Sequence, residues 1–317
     1  MTVAAAILIA VQVVTMLLLA PVLTGVMRQT RARMEGRVGP GIWQPWRDLR
    51  KLFRKEPLSA RDTTWWSWVG PIILMTTSLA VCALVPLVGT LTLPLVPDDL
   101  FVVVGLLLVG TAVMALVGLD AGTAFGGMGS SRHMTIAALV EPTVLLAVYA
   151  ISIPAGTSLL SGIVTSRAAQ PATIWSPVSV LAVTALAIAV IAETGRLPVD
   201  NPATHLELTM VHEAMLLETS GRDLAFLEWG SQVRLGALLG LLAALLAPFG
   251  LAQELTAPLL AIGVVALVVK LLILGAALAA AEVFVAKLRL FRVPEMLAGS
   301  FALAFVAVTA AFWVVNL

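Results

Sequence analysis

Ionisable residues are concentrated in one stretch of an otherwise apolar chain. The segment from Glu193 to Asp223, ETGRLPVDNPATHLELTMVHEAMLLETSGRD, carries repeated acidic residues, two histidines and two arginines. Across all 317 residues, 60% are hydrophobic and only 12% are charged. Carboxylates and imidazoles that are held in apolar surroundings can exchange protons near neutral pH. The segment therefore predicts a site for proton transfer.

Other kinds of chemistry find little support in the residue pattern. His205 and His212 are seven residues apart without an H-E-x-x-H motif, so no metal site is predicted. No motif for a serine or cysteine nucleophile is present. The single cysteine, Cys82, can form neither an internal disulfide nor an iron–sulfur cluster, which needs several thiolates. Any electron transfer must then belong to a partner protein.

Further charged residues fall in or at the ends of apolar runs: Asp120, Glu141, Glu193, Lys270 and Glu282. Each costs roughly 2.5–3.5 kcal/mol at the centre of a membrane helix, so each is expected to face the interior of a helix bundle. A desolvated carboxyl group can then act in a proton relay. The alternative to a proton relay is a structural role, in which Lys270 pairs with one carboxylate and these five charged residues only orient the helices.

The elements that position these residues are membrane helices. The mean hydropathy is +1.03, and apolar runs of about 18 residues or more recur, which predicts an all-α polytopic membrane protein with residues 1–317 as a single membrane domain. We predict eight spans: Val3–Val26, Trp66–Val88, Phe101–Leu119, Met134–Ala155, Pro177–Thr194, Leu235–Ala252, Ala257–Ala281 and Met296–Val315.

Basic residues predict the orientation of these spans. Ten of the nineteen Lys and Arg residues lie between Arg28 and Arg61, and seven more are assigned to three loops on the same side. Loops rich in Lys and Arg remain in the cytoplasm. This predicts a multi-pass protein of a prokaryotic plasma (inner) membrane, surrounded by lipid, with both termini outside. A nucleic-acid partner is not expected, since insertion alone accounts for the basic loops.

Two cytoplasmic segments are predicted to carry most of the polar contacts. In the first loop, residues 28–64, Trp46, Leu49, Leu52 and Phe53 share one face of a short amphipathic helix that would lie in the membrane interface or against a partner. The second, residues 193–234, is predicted to be an acidic loop with a helix that begins near Asn201, a good N-cap.

Three motifs resemble those of a known family. AETGRLPVDNPATHLEL resembles the A-E-x-N-R-x-P-F-D loop of the membrane heel subunit (subunit 1) of respiratory complex I. GRVGPGIWQPWRDLRKLFRKE is similar to the first cytoplasmic loop of that subunit. GLDAGTAFGGMGSSRHMTIAALVEP looks most like the related subunit of formate hydrogenlyase and other membrane-bound, group 4 nickel–iron hydrogenases. The resemblance covers nearly the whole chain.

The resemblance implies a non-catalytic membrane subunit of an oxidoreductase complex with a complex I subunit 1-like fold. It would dock the large and small (iron–sulfur) hydrogenase subunits of a peripheral arm, which hold the nickel–iron and iron–sulfur centres, and contact antiporter-like membrane subunits that move protons or sodium ions. No cofactor is expected in this chain, and a bound quinone is the open alternative. The implied docking residues are Arg37, Gly39, Pro40, Asp48 and Lys51. The implied acidic funnel is Asp120, Glu141, Glu193, Arg196, Asp200 and Glu207. The residue pattern itself adds His205, His212, Glu213, Lys270 and Glu282 to the predicted proton-coupling set.

Two alternatives to the hydrogenase branch remain. One is the heel subunit of a quinone-reducing NADH dehydrogenase-type complex, and the other is an ion-transporting subunit without a redox partner. Complex I subunits continue E-G-E-S-E-L after the aspartate loop, whereas this chain has ATHLEL. Polar groups near the expected quinone chamber are thus missing, which favours the hydrogenase branch.

Overall fold

The computed structural model describes residues 2–60, 63–92, 98–200, 210–289 and 292–315. These residues form a helical bundle. Its helices are α1 (Thr2–Met34), α2 (Gln44–Phe53), α3 (Trp66–Leu84), α4 (Leu100–Asp120), α5 (Ala124–Ala155), α6 (Leu160–Ala169), α7 (Pro177–Glu193), α8 (His212–Leu216), α9 (Gly221–Leu246), α10 (Ala257–Phe284) and α11 (Val293–Val315), with a 3-10 turn over Pro171–Trp175.

The helices confirm the predicted class of protein. In the described part of the chain, α1, α3, α4, α5, α9, α10 and α11 are long and apolar enough to cross a membrane. The fifth predicted span corresponds to α7, an apolar helix of 17 residues. Each predicted span therefore has a helical counterpart, and the chain is a multi-pass membrane protein.

Several predicted boundaries differ from the structure. The first loop begins after Met34 rather than at residue 28, because α1 continues through the basic segment. Helix α5 begins at Ala124, ten residues before the predicted span. Helix α9 begins at Gly221 and ends at Leu246, so residues 221–234 are helical and not part of a loop. In each case the polar end of a long helix lowers the local hydropathy, and the sequence pattern then resembles a loop.

The helix ends form two opposite faces. We call the basic face the side that holds the carboxyl ends of α1, α4 and α10; the side that holds both chain termini is the terminal face. On the basic face, Thr64 N donates to the Asp120 carboxylate at 3.0 Å, and the Ser220 hydroxyl donates to the Leu58 carbonyl at 3.0 Å. On the terminal face, Ala252 N donates to the Val88 carbonyl at 2.9 Å.

Helix α9 is the central helix of the bundle. In its most apolar stretch 83% of the residues are buried, whereas in that of α10 only 22% are buried. The predicted amphipathic helix is α2, and its apolar face packs on α9: Trp46 meets Trp229 with ring centroids 5.6 Å apart, and Phe53 meets Phe226 at 5.4 Å. The helix is thus confirmed, but its apolar face is covered by the same chain.

The short length of α7 creates an internal space. At 1.5 Å per residue its 17 residues span about 25 Å, against about 48 Å for the 32 residues of α5 and about 39 Å for the 26 residues of α9. Helix α7 therefore ends inside the bundle, below the basic face. Its last residue, Glu193, lies at the floor of the space that remains.

Candidate functional site

A cavity of about 650 Å³ lies between the end of α7 and the basic face. Side chains from α1, α4, α5, α9 and α10 form its walls. Unusually for a membrane protein interior, both kinds of charge line it: Arg28, Arg31, Arg37, Arg196, Arg234, Glu193, Glu213, Glu228 and Glu282. Apolar side chains, among them Met27, Leu74 and Met114, complete the lining.

A buried ion cluster lies at the floor of the cavity. Arg234 of α9 forms an ion pair with Glu193 of α7, and its Nη2 lies 3.7 Å from Oε1 of Glu141 of α5. The side chains of these three residues are at most 10% exposed. Arg234 Nη2 also donates to the Leu107 carbonyl at 2.8 Å and to the Thr111 hydroxyl. The cluster thus joins four helices.

Thr111 brings the two carboxylates together. Its Oγ1 lies 2.9 Å from Oε1 of Glu141 and 3.0 Å from Oε1 of Glu193. A hydroxyl group has one hydrogen to donate and an ionised carboxylate has none. The Leu107 carbonyl, 3.0 Å from Oγ1, is a further acceptor for this hydrogen. If both carboxylates were ionised, at least one of their two contacts with Thr111 would have no hydrogen, so the geometry suits a cluster that holds one additional proton.

Local backbone geometry makes room for the guanidinium group. A Cβ atom added at Gly110 would lie 2.3 Å from Nη1 of Arg234, so the absence of a side chain there lets Arg234 reach the backbone of α4. Glu193 stands at the carboxyl end of α7, where the helix dipole is negative and disfavours a carboxylate. The positive charge of Arg234 offsets this effect.

A second charged group lies nearer the basic face. Glu282 of α10 is 4% exposed, and its carboxylate lies 3.5 Å from Nη1 of Arg196 and 3.7 Å from Nη1 of Arg31. Arg31 also donates to Glu35 at 2.9 Å. The carboxyl ends of α1 and α10 are therefore tied to the segment that follows α7.

Asp200 holds the segment before α8. Its Oδ2 accepts hydrogen bonds from Val211 N at 3.1 Å and His212 N at 3.2 Å, and its Oδ1 lies 3.5 Å from Nζ of Lys287. Burial lowers the pKa of His212 below its ordinary value, although the negative charges of Glu213 and Asp200 oppose this change. Burial thus disfavours the charged form of His212.

Several of the predicted coupling residues meet in this site. Glu141, Glu193, Arg196, Asp200, His212, Glu213 and Glu282 all lie along the cavity or border it. His205 and Glu207, and the predicted helix start at Asn201, lie outside the described residues. The predicted roles remain predictions.

Two predicted coupling residues lie apart from the cluster. The carboxylate of Asp120 accepts from Thr64 at the rim of the basic face. Lys270 donates to the backbone carbonyls of Ala247, at 2.6 Å, and Phe249, just beyond the carboxyl end of α9. The alternative pairing of Lys270 with a carboxylate is not found among the described residues.

The predicted docking residues lie on the basic face in different settings. The side chain of Arg37 is 70% exposed and pairs with Glu35. Gly39 packs against Gln29, and Pro40 lines the cavity. Asp48 accepts from Gln44 at 2.8 Å and lies 3.7 Å from Arg28, so it is engaged within the chain. Lys51 is exposed.

Sequence reasoning misses the residues that complete the cluster. It places Arg234 in a cytoplasmic loop, yet Arg234 is the fourteenth residue of α9, about 20 Å along that helix. Thr111 and Gly110 lie in no motif, and His133 lies within the motif GLDAGTAFGGMGSSRHMTIAALVEP without being assigned a role. A signal for Arg234 exists in the sequence, since an arginine directly before the apolar run LGALLGLLAALL could equally lie inside the same helix.

The chain is similar to known membrane proteins over almost its full length. The family model described as NADH dehydrogenase matches residues 6–314. Hydrogenase-4 component C of Escherichia coli (strain K12) is 34% identical over 96% of this chain and 95% of its own length. Formate hydrogenlyase subunit 4 of the same organism is 30% identical over 94% of this chain and 95% of its own length.

A solved structure shares the fold of this chain. One chain of the membrane-bound sulfane sulfur reductase, an archaeal respiratory membrane complex, has the same fold, with a TM-score of 0.81. The two sequences are 18% identical, and the match covers 97% of this chain and 99% of that one. The protein is a member of the NADH dehydrogenase family of complex I subunit 1-like membrane proteins.

Proposed function

We propose that this chain is the membrane subunit of a hydrogenase-type complex, and that it couples redox chemistry in a peripheral arm to the movement of protons or sodium ions. The relatives named hydrogenase-4 component C and formate hydrogenlyase subunit 4 support this branch of the family. The nickel–iron and iron–sulfur centres would belong to the large and small subunits of the arm, and antiporter-like subunits would move the ions.

The single observation that carries the proposal is the buried cluster of Glu141, Glu193 and Arg234. One arginine faces two carboxylates, which leaves a net charge of −1 unless a proton is added. Because Arg234 pairs closely with Glu193 and is 3.7 Å from Glu141, the additional proton is best placed on Glu141. The cluster would then gain or lose this proton when the nearby charge changes.

The cavity connects this cluster to the basic face, where a redox arm would bind. A unit charge acts over several ångströms in surroundings of low dielectric constant. A change in charge in the docked arm would therefore alter the protonation of the cluster.

Neutral substitutions of the two glutamates test the coupling. We expect Glu141→Gln and Glu193→Gln to leave the complex assembled and the arm able to reduce an artificial acceptor, because glutamine keeps the shape of the side chain. Activity that requires the membrane subunits should fall by at least about tenfold, since glutamine cannot exchange a proton. The measurement compares ion movement in membrane vesicles with acceptor reduction by the same preparation.

The control is Glu254→Gln, the same change at an exposed position on the terminal face, which should leave both activities unaltered. Ion movement at the normal rate in both of the assembled cluster variants would contradict the proposed coupling.

We propose that exposed basic residues on the basic face dock the peripheral arm. Arg37 and Lys51 carry this role, because both side chains are exposed. Arg37→Glu combined with Lys51→Glu should lower retention of the arm on membranes to about a tenth or less, since like charges across an interface cost several kcal/mol. Retention is measured by immunoblotting of washed membranes.

The charge-conserving pair Arg37→Lys and Lys51→Arg is the matched control and should retain the arm. If the charge-reversed variant also kept its arm at high ionic strength, these two residues would have no part in docking.

We propose that the basic face is cytoplasmic and that both termini lie outside. Cysteines at the exposed positions Gln170 and Gln253 should react with a membrane-impermeant maleimide in intact cells, and one at Lys55 should react only after lysis. The native Cys82 is buried and gives little background. Labelling of the Lys55 cysteine in intact cells would show that the basic face lies outside, opposite to the proposed orientation.

A further inference from the structure

A second, much smaller chamber adjoins the cavity near the end of α7. Its volume is about 10 Å³, close to the roughly 10–15 Å³ that a single water molecule requires. Four of its lining residues can form hydrogen bonds: His133, Glu193, Asp200 and His212. The others are small or apolar: Ile136, Ala137, Ala192, Gly195, Val199 and Val211.

One polar atom of a residue that lines this chamber lacks a partner. Nε2 of His133 is buried and has no hydrogen-bond partner among the described residues. A buried nitrogen that loses its bond to water costs about 1–3 kcal/mol. Since a water molecule in a buried site typically forms about three hydrogen bonds, the three other polar residues of the chamber would complete its coordination.

We propose that this chamber binds a single water molecule, that Nε2 of His133 orients it, and that the water joins Glu193 to His212 as a proton bridge. The bridging role rests on the proposed function; the binding of the water does not. His133 is a positioning residue here, because its Nε2 accepts a hydrogen bond from the water and the ring itself gains no proton.

The transfer conserves atoms and charge. The additional proton of the cluster first passes from Glu141 to Glu193 through the Thr111 hydroxyl, which contacts both carboxylates. The carboxyl group of Glu193 then gives this proton to the water oxygen, and the same water gives one of its protons to a ring nitrogen of His212. The water is unchanged, Glu193 becomes a carboxylate and His212 becomes an imidazolium. Burial opposes this imidazolium, as do the positive charges of Arg196 and Arg234, while the negative charges of Glu213 and Asp200 favour it. His212 also lines the main cavity, from which the proton can leave.

Two measurements on the intact complex test the proposal. A high-resolution cryo-electron microscopy map should show density for one water within about 3.2 Å of Nε2 of His133, and His133→Leu should abolish it. Infrared spectroscopy after transfer to heavy water should follow deuterium exchange at the buried carboxyl group, whose band is assigned by its loss in Glu141→Gln and Glu193→Gln. Neither measurement requires redox turnover.

We expect His133→Leu to slow this exchange by at least about tenfold, in the range of effects for lost proton-transfer contacts. His133→Gln supplies an amide oxygen that can still accept from the water, and its rate should stay within about threefold of the native rate. Thr135→Val, an exposed polar-to-apolar change on the same helix, is the control and should have no effect.

Three outcomes would overturn the proposal: a native map without the water, native exchange in His133→Leu, or equal slowing in His133→Leu and His133→Gln. The last would mean that the imidazole itself carries the proton. Because His133→Gln retains a polar side chain, the test does not depend on whether the leucine variant folds. Failure of redox coupling with the water and its exchange intact would instead contradict only the proposed function.

Discussion

Arg234→Met should prevent the protein from accumulating as a folded, assembled subunit. The substitution leaves Glu141 and Glu193 buried without the cation that pairs with both. Removing one partner of a buried ion pair costs about 3–5 kcal/mol, a large share of the stability of a typical domain. The measurement is the amount of monodisperse protein extracted from membranes, together with its thermal unfolding in detergent.

Compensating substitutions make this prediction specific. In the triple variant Arg234→Met, Glu141→Gln, Glu193→Gln no buried charge remains in the cluster, so most of the lost stability should return, as a mutant cycle would reveal. Arg222→Met changes an exposed arginine in the first turn of the same helix and should be nearly neutral. Normal accumulation of the single Arg234→Met variant, or no recovery in the triple variant, would show that the cluster does not depend on charge pairing.

Gln12→Leu, a change on the terminal face, should lower the free energy of unfolding of the protein by about 3 kcal/mol or more. Gln12 is 2% exposed, and its amide nitrogen donates to the carbonyls of Cys82 at 2.5 Å and Val85 at 2.7 Å. Its Oε1 accepts from Leu87 N at 3.1 Å and Val88 N at 3.0 Å. Leucine has a similar size but satisfies none of these four backbone groups, and each unsatisfied buried group costs about 1–3 kcal/mol.

Thermal unfolding of the purified complex measures this effect. Gln253→Leu makes the same chemical change at an exposed position and should leave the unfolding temperature nearly unaltered. Gln12→Glu should also destabilise the protein, because one of its oxygens would face the carbonyls of Cys82 and Val85. Equal unfolding temperatures for Gln12→Leu and Gln253→Leu would mean that water reaches these backbone groups in place of the side chain.

The class of protein, the eight apolar helices and the family can all be predicted from the amino-acid sequence. These properties are local, since a run of about 18 apolar residues predicts a membrane helix wherever it stands, and three motifs in order identify relatives. The amphipathic helix α2 is predictable for the same reason, because its apolar residues follow the period of a helix. Glu141 and Glu193 also stand out in the sequence, since a carboxylate is costly in an apolar run.

Which charges meet depends on the tertiary structure. Arg234 lies 41 residues from Glu193 and 123 from Thr111, and no local periodicity encodes pairings over such separations. Lys270 gives the opposite result. Like the glutamates it is a charged residue within an apolar run, yet it donates hydrogen bonds to backbone carbonyls beyond the end of α9 and does not join the cluster. The cause is the packing of helices of unequal length. Because α7 ends inside the bundle, beside the middle of α9, Glu193 reaches Arg234 in a buried space that the linear order of the residues does not reveal.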